Sequence, residues 1–335
     1  MERNVRNMKP TCDSLDYENM IDLAKRIDRM NMLTNWSNDH SEKFQKSAMT
    51  FRHKLNETGL FTDEALIKLL EKHPSEEMDV CAMPLPGDTA FRTGDFRKAD
   101  GKTLLAIAKT GAIWINLRRA MNIHPEYKEA LDDMYGSLSE RTGLNAFNPR
   151  GGILISSPQA VVPYHFDKTE TILWHVRGKK TLLLYPMNDK YLPEEAYEET
   201  LINPISDDVP YNPEFEKGVQ EFALEEDQAV TWPLNSPHRV INKTFCVSVT
   251  TEYSTSESGR KNAAMLTNAT LRRKLGMTPS YANDSETSRA LKSVFGRVLK
   301  KTGLGAKIEQ PDYVTFEVVK DAKDIKDVEP FLRNF

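Results

Sequence analysis

Cysteine is scarce in this chain. Cys12, Cys81 and Cys246 are three, odd in number and widely spaced along 335 residues. They build neither a disulfide framework nor a zinc ribbon, which points to a reducing compartment, the cytoplasm. Long apolar runs are missing as well: no window approaches the roughly 18 consecutive apolar residues of a membrane span. The opening MERNVRNMKPTCDS lacks the apolar stretch of a secretory signal. Sites such as Asn35-Trp36-Ser37 and Asn242-Lys243-Thr244 are therefore not read as glycosylation acceptors. Internal repeats and low-complexity tracts are absent too. What is present is an ordinary soluble composition, 39% apolar and 28% charged. The length allows one large domain or two smaller ones.

A formal net charge of −4 hides an asymmetry. Residues 189–227 hold 13 Asp/Glu against 2 Lys/Arg, and residues 255–310 hold 11 Lys/Arg against 4 Asp/Glu. Such runs are commonly solvated faces. The sharper alternatives are a basic substrate for the first and an anionic partner for the second. The stretch Leu271-Arg272-Arg273-Lys274 lacks the interleaved aromatics of a nucleic-acid footprint, so no nucleic-acid partner is assigned.

The pattern divides the chain into three. Residues 1–145 read as mainly helical and as packing on the β-rich middle of the chain. Leu66, Leu69 and Leu70 form one helical face, and Thr62-Asp63-Glu64 caps it. Segments 101–108, 113–121 and 127–138 read as further helices, and 80–92 as more extended. Residues 146–254 carry short strands at 153–156, 169–177, 180–185, 221–225, 229–233, 238–242 and 245–253, the spacing of an all-β barrel or sandwich. Within them, the acidic stretch 187–220 reads as an irregular insertion. Residues 255–335 turn basic and helical at 268–275 and 288–301, with one late strand at 313–319.

The chemistry concentrates in His165-Phe166-Asp167, answered 71 residues after Asp167 by His238. Two histidines and a carboxylate on three corners of an octahedron are the ligand set of non-haem Fe(II) oxygenases. On a strand, His165 and Asp167 would share a face. His238 must then come from another strand, and Trp232-Pro233-Leu234-Asn235-Ser236-Pro237 leads into it as a strand, a turn and a strand opening. Lys180 opens a later strand just after Gly178.

Three segments, 153–167 (ILISSPQAVVPYHFD), 171–186 (TILWHVRGKKTLLLYP) and 227–242 (DQAVTWPLNSPHRVIN), carry a resemblance. The chain resembles the jumonji-C and cupin-like Fe(II)- and 2-oxoglutarate-dependent oxygenases, particularly their asparaginyl-hydroxylase branch. The resemblance implies an α+β fold with a mainly β core: a double-stranded β-helix, the jelly-roll or cupin-like barrel, flanked by N- and C-terminal helices. It implies that His165, Asp167 and His238 hold Fe(II) and that Lys180 binds the distal carboxylate of 2-oxoglutarate, a charge-assisted contact. Thr171 would reach the cosubstrate's other end. Val162 stands where the branch often has a threonine, and Tyr164 or Ser156 would have to compensate. The implied reaction consumes O₂ and releases succinate and CO₂. It hydroxylates a protein side chain or an amino-acid-like small molecule, and the acidic stretch suggests a cationic group on it. The C-terminal helices would pack a homodimer, as in relatives.

Three further residues are read two ways. His175 and Trp174 are hydrogen-bonded or packed neighbours of the site, or else substrate contacts; Asn116 lines the pocket, or is a buried structural asparagine. Two rival functions stay open: a metal-dependent cupin isomerase or dioxygenase without 2-oxoglutarate, and a non-catalytic jumonji-like binding protein.

Overall fold

The computed structural model describes residues 31–83, 91–111, 113–158, 160–203, 209–308 and 311–335. Cys12 lies outside them. Four strands come first: β1 (Met49–Arg52), β2 (Met78–Ala82), β3 (Arg92–Lys98) and β4 (Ile113–Leu117). Before, between and after them run the helices α1 (Asn38–Lys43), α2 (Asp63–Lys72), α3 (Gly101–Thr110), α4 (Ala120–Ile123) and α5 (Pro125–Thr142).

The next eight strands form the barrel. β5 (Phe147–Ser156), β7 (Glu170–Arg177), β10 (Gln228–Thr231) and β12 (Cys246–Ser254) lie in one sheet in the order β10-β7-β12-β5. β6 (Val161–His165), β8 (Lys180–Leu184), β9 (Gln220–Leu224) and β11 (His238–Asn242) form the facing sheet in the order β6-β11-β8-β9. All pairings within these two sets are antiparallel. The chain passes repeatedly from one sheet to the other, so that paired strands are far apart in sequence. That topology is the double-stranded β-helix. The helices α6 (Glu194–Ile202), α7 (Ser256–Leu275) and α8 (Glu286–Thr302) cover one end, and β13 (Tyr313–Val319) and β14 (Lys326–Leu332) close the chain.

Side-chain parity along β7 shows how the barrel is filled. Ile172, Trp174 and Val176 face outward into the main core, against α2, α3 and α5. Leu173 faces inward with Leu182, Leu184, Leu224, Val230, Trp232 and Val240. The interior is therefore largely apolar, and the remaining inward positions project polar groups into it.

Several expectations change here. The helix expected over 113–121 is a strand at 113–117, with only Ala120 and Met121 falling in the short α4: Ile113, Ile115 and Leu117 are fully buried while Trp114 and Asn116 are half-exposed, the period of a strand. A five-residue apolar run does not distinguish helix from strand until its neighbours are known. Here β2 and β5 flank it. The N-terminal region supplies four strands, β13 runs parallel to β3, and β14 forms the far edge of a ten-stranded sheet. The acidic insertion contains α6 and a 3-10 turn at Pro213–Gly218. Among the described residues no helix is long and apolar enough to cross a membrane.

Candidate metal centre

His238, the first residue of β11, stands in register with His165, the last of β6, and with Leu184, the last of β8. The ring centroids of the two histidines lie 4.2 Å apart. Asp167 sits just past the end of β6, in the loop rather than on the strand, and its Oδ2 comes 3.6 Å from His238 Nε2. One ligand atom from each residue lies within 4.8 Å of the others, and among the described residues no other histidine, cysteine and carboxylate group meets that condition.

Backbone carbonyls set the tautomers. His165 Nδ1 lies 2.8 Å from Pro163 O and His238 Nδ1 lies 3.0 Å from Ser236 O. A carbonyl only accepts, so each Nδ1 carries the proton and each Nε2 keeps a lone pair for the cluster. Burial and the neighbouring His165 hold the His238 pKa well below its usual value, which keeps the ring neutral, as a ligand must be. The donor set therefore fits a divalent iron with open positions.

Lys180, the first residue of β8, pairs with Asn242 and Leu224 at the opposite end of the barrel from His238. It shares the inward face with Leu182 and Leu184 and is only 3% exposed. Among the described residues no carboxylate pairs with its ammonium and no hydrogen bond is formed by it. Burial pushes its pKa down to about 8.

Cosubstrate and neighbour candidates separate by parity. Thr171 faces inward with Leu173 and is buried. Tyr164 does not: the residue next to His165 points out of the barrel, donates its hydroxyl to Tyr191 O at 2.8 Å and packs with Tyr185, Tyr191 and Phe215. Val162 packs against the inner cluster. His175 faces inward beside Lys180, but its ring is satisfied by Ser248 Oγ at 3.0 Å and Gly178 O at 2.8 Å. Burial lowers its pKa to about 3, so it is a neutral structural group. Trp174 is a core residue: its Nε1 donates to Thr251 Oγ1 at 2.9 Å and its ring meets Phe51 edge-on. Asn116 points to the face of β4 opposite the buried Ile115 and Leu117, is half-exposed and reaches Asp79 at 3.5 Å.

The acidic insertion is largely engaged within the chain. Glu194 accepts from the backbone N–H groups of Tyr281 and Ala282, at 2.9 and 2.6 Å. Glu195 and the buried Glu198 pair with Arg272 of α7, at 3.5 and 2.7 Å. The acidic and basic stretches thus face each other. A cavity of 230 Å³ opens beside the metal end, bordered by Leu184, Pro233 and Ser236; a larger one of 290 Å³ lies between α2 and α5, away from these residues.

Known proteins add little. No family model and no curated protein matches the chain. Among solved structures it is similar to ycfD of E. coli, at TM-score 0.47 and 16% identity over 79% of this chain and 67% of that one. It is also similar to YcfD, described as a ribosomal oxygenase from Escherichia coli, in complex with cobalt and 2-oxoglutarate: TM-score 0.47, 13% identity, 81% and 69% covered. The cobalt and succinic acid complex gives 0.45, 14%, 80% and 67%. Likenesses this remote carry no argument about activity, which has to come from the chain's own residues.

One residue of the site was not legible as such. Asn235, 1% exposed, adopts a left-handed backbone with φ of +65° and donates from Nδ2 to Asp167 O at 2.8 Å. Asparagine tolerates that conformation better than most residues, the one hint that the string WPLNSPH contains.

Proposed function

We propose that the chain is an Fe(II)- and 2-oxoglutarate-dependent oxygenase that hydroxylates its substrate. The observation that carries this is Lys180: a buried cation with no carboxylate partner among the described residues, facing the same interior as His165, Asp167 and His238. Such a group is costly unless an anion meets it. Four strand residues separate its register position from that of His238, about 13 Å, a distance that an extended lysine side chain and a five-carbon diacid together span.

When bound, iron and 2-oxoglutarate supply an O₂-dependent oxidative decarboxylation, coupled to hydroxylation of the substrate. The chain's own residues do the rest. His165 and His238 present fixed lone pairs and Asp167 a negative charge. Lys180 clamps the far carboxylate of the cosubstrate, and Thr171 lies on the inward face at the metal end, where the near carboxylate would sit. Leu173, Leu182, Val230 and Val240 exclude water.

A polypeptide side chain is the favoured substrate, with an amino-acid-like molecule as the second choice. Phe147, Met187 and Tyr211, exposed by 50%, 49% and 40%, belong to segments around the metal end, a spread of apolar surface that a folded partner would cover. Glu194, Glu195 and Glu198 are engaged by Tyr281, Ala282 and Arg272 of the same chain rather than by a cationic group of the substrate.

The catalytic core is placed at 146–254, in the cytoplasm, where the buried free thiols of Cys81 and Cys246 remain reduced. A homodimer is proposed through α8, whose Leu291, Val294, Phe295 and Val298 form an exposed stripe at i, i+3, i+4 and i+7, suited to an isologous helix pair.

The test is succinate release from 2-oxoglutarate, screened over peptides and free amino acids. Substrate-dependent release that Lys180→Ala abolishes supports the reading. Turnover of a substrate without 2-oxoglutarate consumption would favour the cupin isomerase or dioxygenase instead.

A further inference from the structure

The loop that carries Asp167 is suspended from α7. Asn262 Nδ2 donates to Lys168 O at 2.7 Å. Its neighbour Lys261 donates from Nζ to Asn235 Oδ1 at 2.8 Å, and Asn235 Nδ2 donates onward to Asp167 O. The amide orientation is forced, since an ammonium only donates and a carbonyl only accepts. Phe166 stacks on Tyr197 of α6 with centroids 4.8 Å apart, and the Tyr197 hydroxyl donates to Asn262 Oδ1. The Tyr197 ring also lies 5.2 Å from Lys261 Nζ.

Asn235 has a second role by position. It lies three residues before His238, in the loop whose Ser236 carbonyl fixes the His238 tautomer. One buried amide therefore joins the two chain segments that bring the candidate ligands together, and one ammonium from outside the barrel holds that amide in place.

We propose that Asn235 and Lys261 are positioning residues that hold Asp167 and His238 in mutual register for the metal, so that α7 takes part in the metal centre without touching it. This rests on the metal reading of His165, Asp167 and His238. Groups behind a ligand that fix its orientation typically affect metal affinity 10- to 100-fold when removed.

The experiment is Mn(II) binding to the full chain by calorimetry, with thermal melting in parallel. Asn235→Gly keeps the left-handed backbone accessible and removes both contacts. Asn235→Asp keeps an acceptor for Lys261 and loses the donor to Asp167. Lys261→Met leaves Asn235 in place without its anchor. Asn235→Gly and Asn235→Asp should raise the Mn(II) Kd by about 10- to 100-fold, and Lys261→Met by less. If either Asn235 variant melts before binding can be read, Lys261→Met still reports. Kd values within twofold of the unmodified protein, whatever happens to the melting temperature, overturn the positioning role. Mn(II) binding that survives His165→Ala overturns the metal reading itself, a result that cannot be confused with the first.

Discussion

Among the described residues, no carboxylate meets the positive charge that Lys180 carries into the barrel. A pKa depressed from 10.5 to about 8 corresponds to about 3 kcal/mol of destabilisation at neutral pH. The cost exists while the group is protonated in the fold. It fades as pH rises from about 8 to 10.5, where the unfolded chain binds more protons than the native one. Lys180→Met should raise the melting temperature at pH 7 while raising the 2-oxoglutarate Kd at least 100-fold; a lower melting temperature would mean that the lysine has a stabilising partner. In the unmodified protein the 2-oxoglutarate Kd should climb as pH passes about 8, because a neutral amine no longer pairs with the carboxylate. A flat profile from pH 7 to 9.5 by calorimetry would contradict this. Residue types and spacing in the sequence pointed to His165, Asp167 and His238, while Lys180 was named through the family resemblance; the fold brings the first three together and turns Lys180 inward. Tyr164 could have been set aside from parity alone, since the neighbour of an inward His165 on a strand points outward. Asn235 could not be singled out, because its role depends on a lysine on a distant helix.

Among the elements, the turn that carries the chain from β7 in one sheet to β8 in the other is the one on which the cosubstrate position depends. Gly178 forms it at a φ of +90°, donates its N–H to Glu226 at 2.9 Å and accepts from His175. A Cβ there would stand 2.1 Å from Phe245 O. Gly178→Ala should cost about 2–3 kcal/mol and weaken 2-oxoglutarate binding, because Lys180 begins two residues later. A variant with unchanged melting and unchanged cosubstrate Kd would contradict this placing of the turn. Element boundaries in the core were readable where alternation and turn residues agreed: 238–242 and 313–319 coincide with β11 and β13. They were unreadable where a strand depends on remote partners. β4 is short and apolar, and Ile113, Ile115 and Leu117 are buried only once α3, α5 and the rest of the main core assemble. β14, which contains Pro330 and is mostly exposed, is tolerated as a strand because it lies at the sheet edge.

At the scale of the whole molecule, the two charge runs find each other. The acidic insertion crosses the basic helices through Arg272, which meets Glu198 at 2.7 Å and also reaches Pro279 O at 2.8 Å. Burial raises the Glu198 pKa even with Arg272 beside it. Arg272→Met would leave that carboxylate in the interior uncompensated, with an expected cost of about 3–5 kcal/mol by denaturant unfolding. A change below about 1 kcal/mol would mean that the insertion is not anchored there. Arg272 belongs to the basic run 255–310, whose charge would suit an anionic partner; in the fold it is an internal clamp. The helix behind it is held close: a Cβ at Gly296 of α8 would approach Ala263 O to 1.8 Å, which leaves the opposite face of α8 outward. Val294→Glu should therefore turn a dimer into a monomer by light scattering while leaving 2-oxoglutarate binding intact. A wild-type chain that is already monomeric at micromolar concentration would remove the dimer from the proposal.

One interior is proposed to hold both a three-residue iron site and a cation for 2-oxoglutarate. Anaerobic titration of the folded, iron-loaded chain with 2-oxoglutarate tests this most directly. The expected result is a visible metal-to-ligand charge-transfer band that grows to one equivalent, is lost in His165→Ala and needs far more 2-oxoglutarate in Lys180→Met. A folded sample that binds iron and shows no such band at saturating 2-oxoglutarate would contradict the claim.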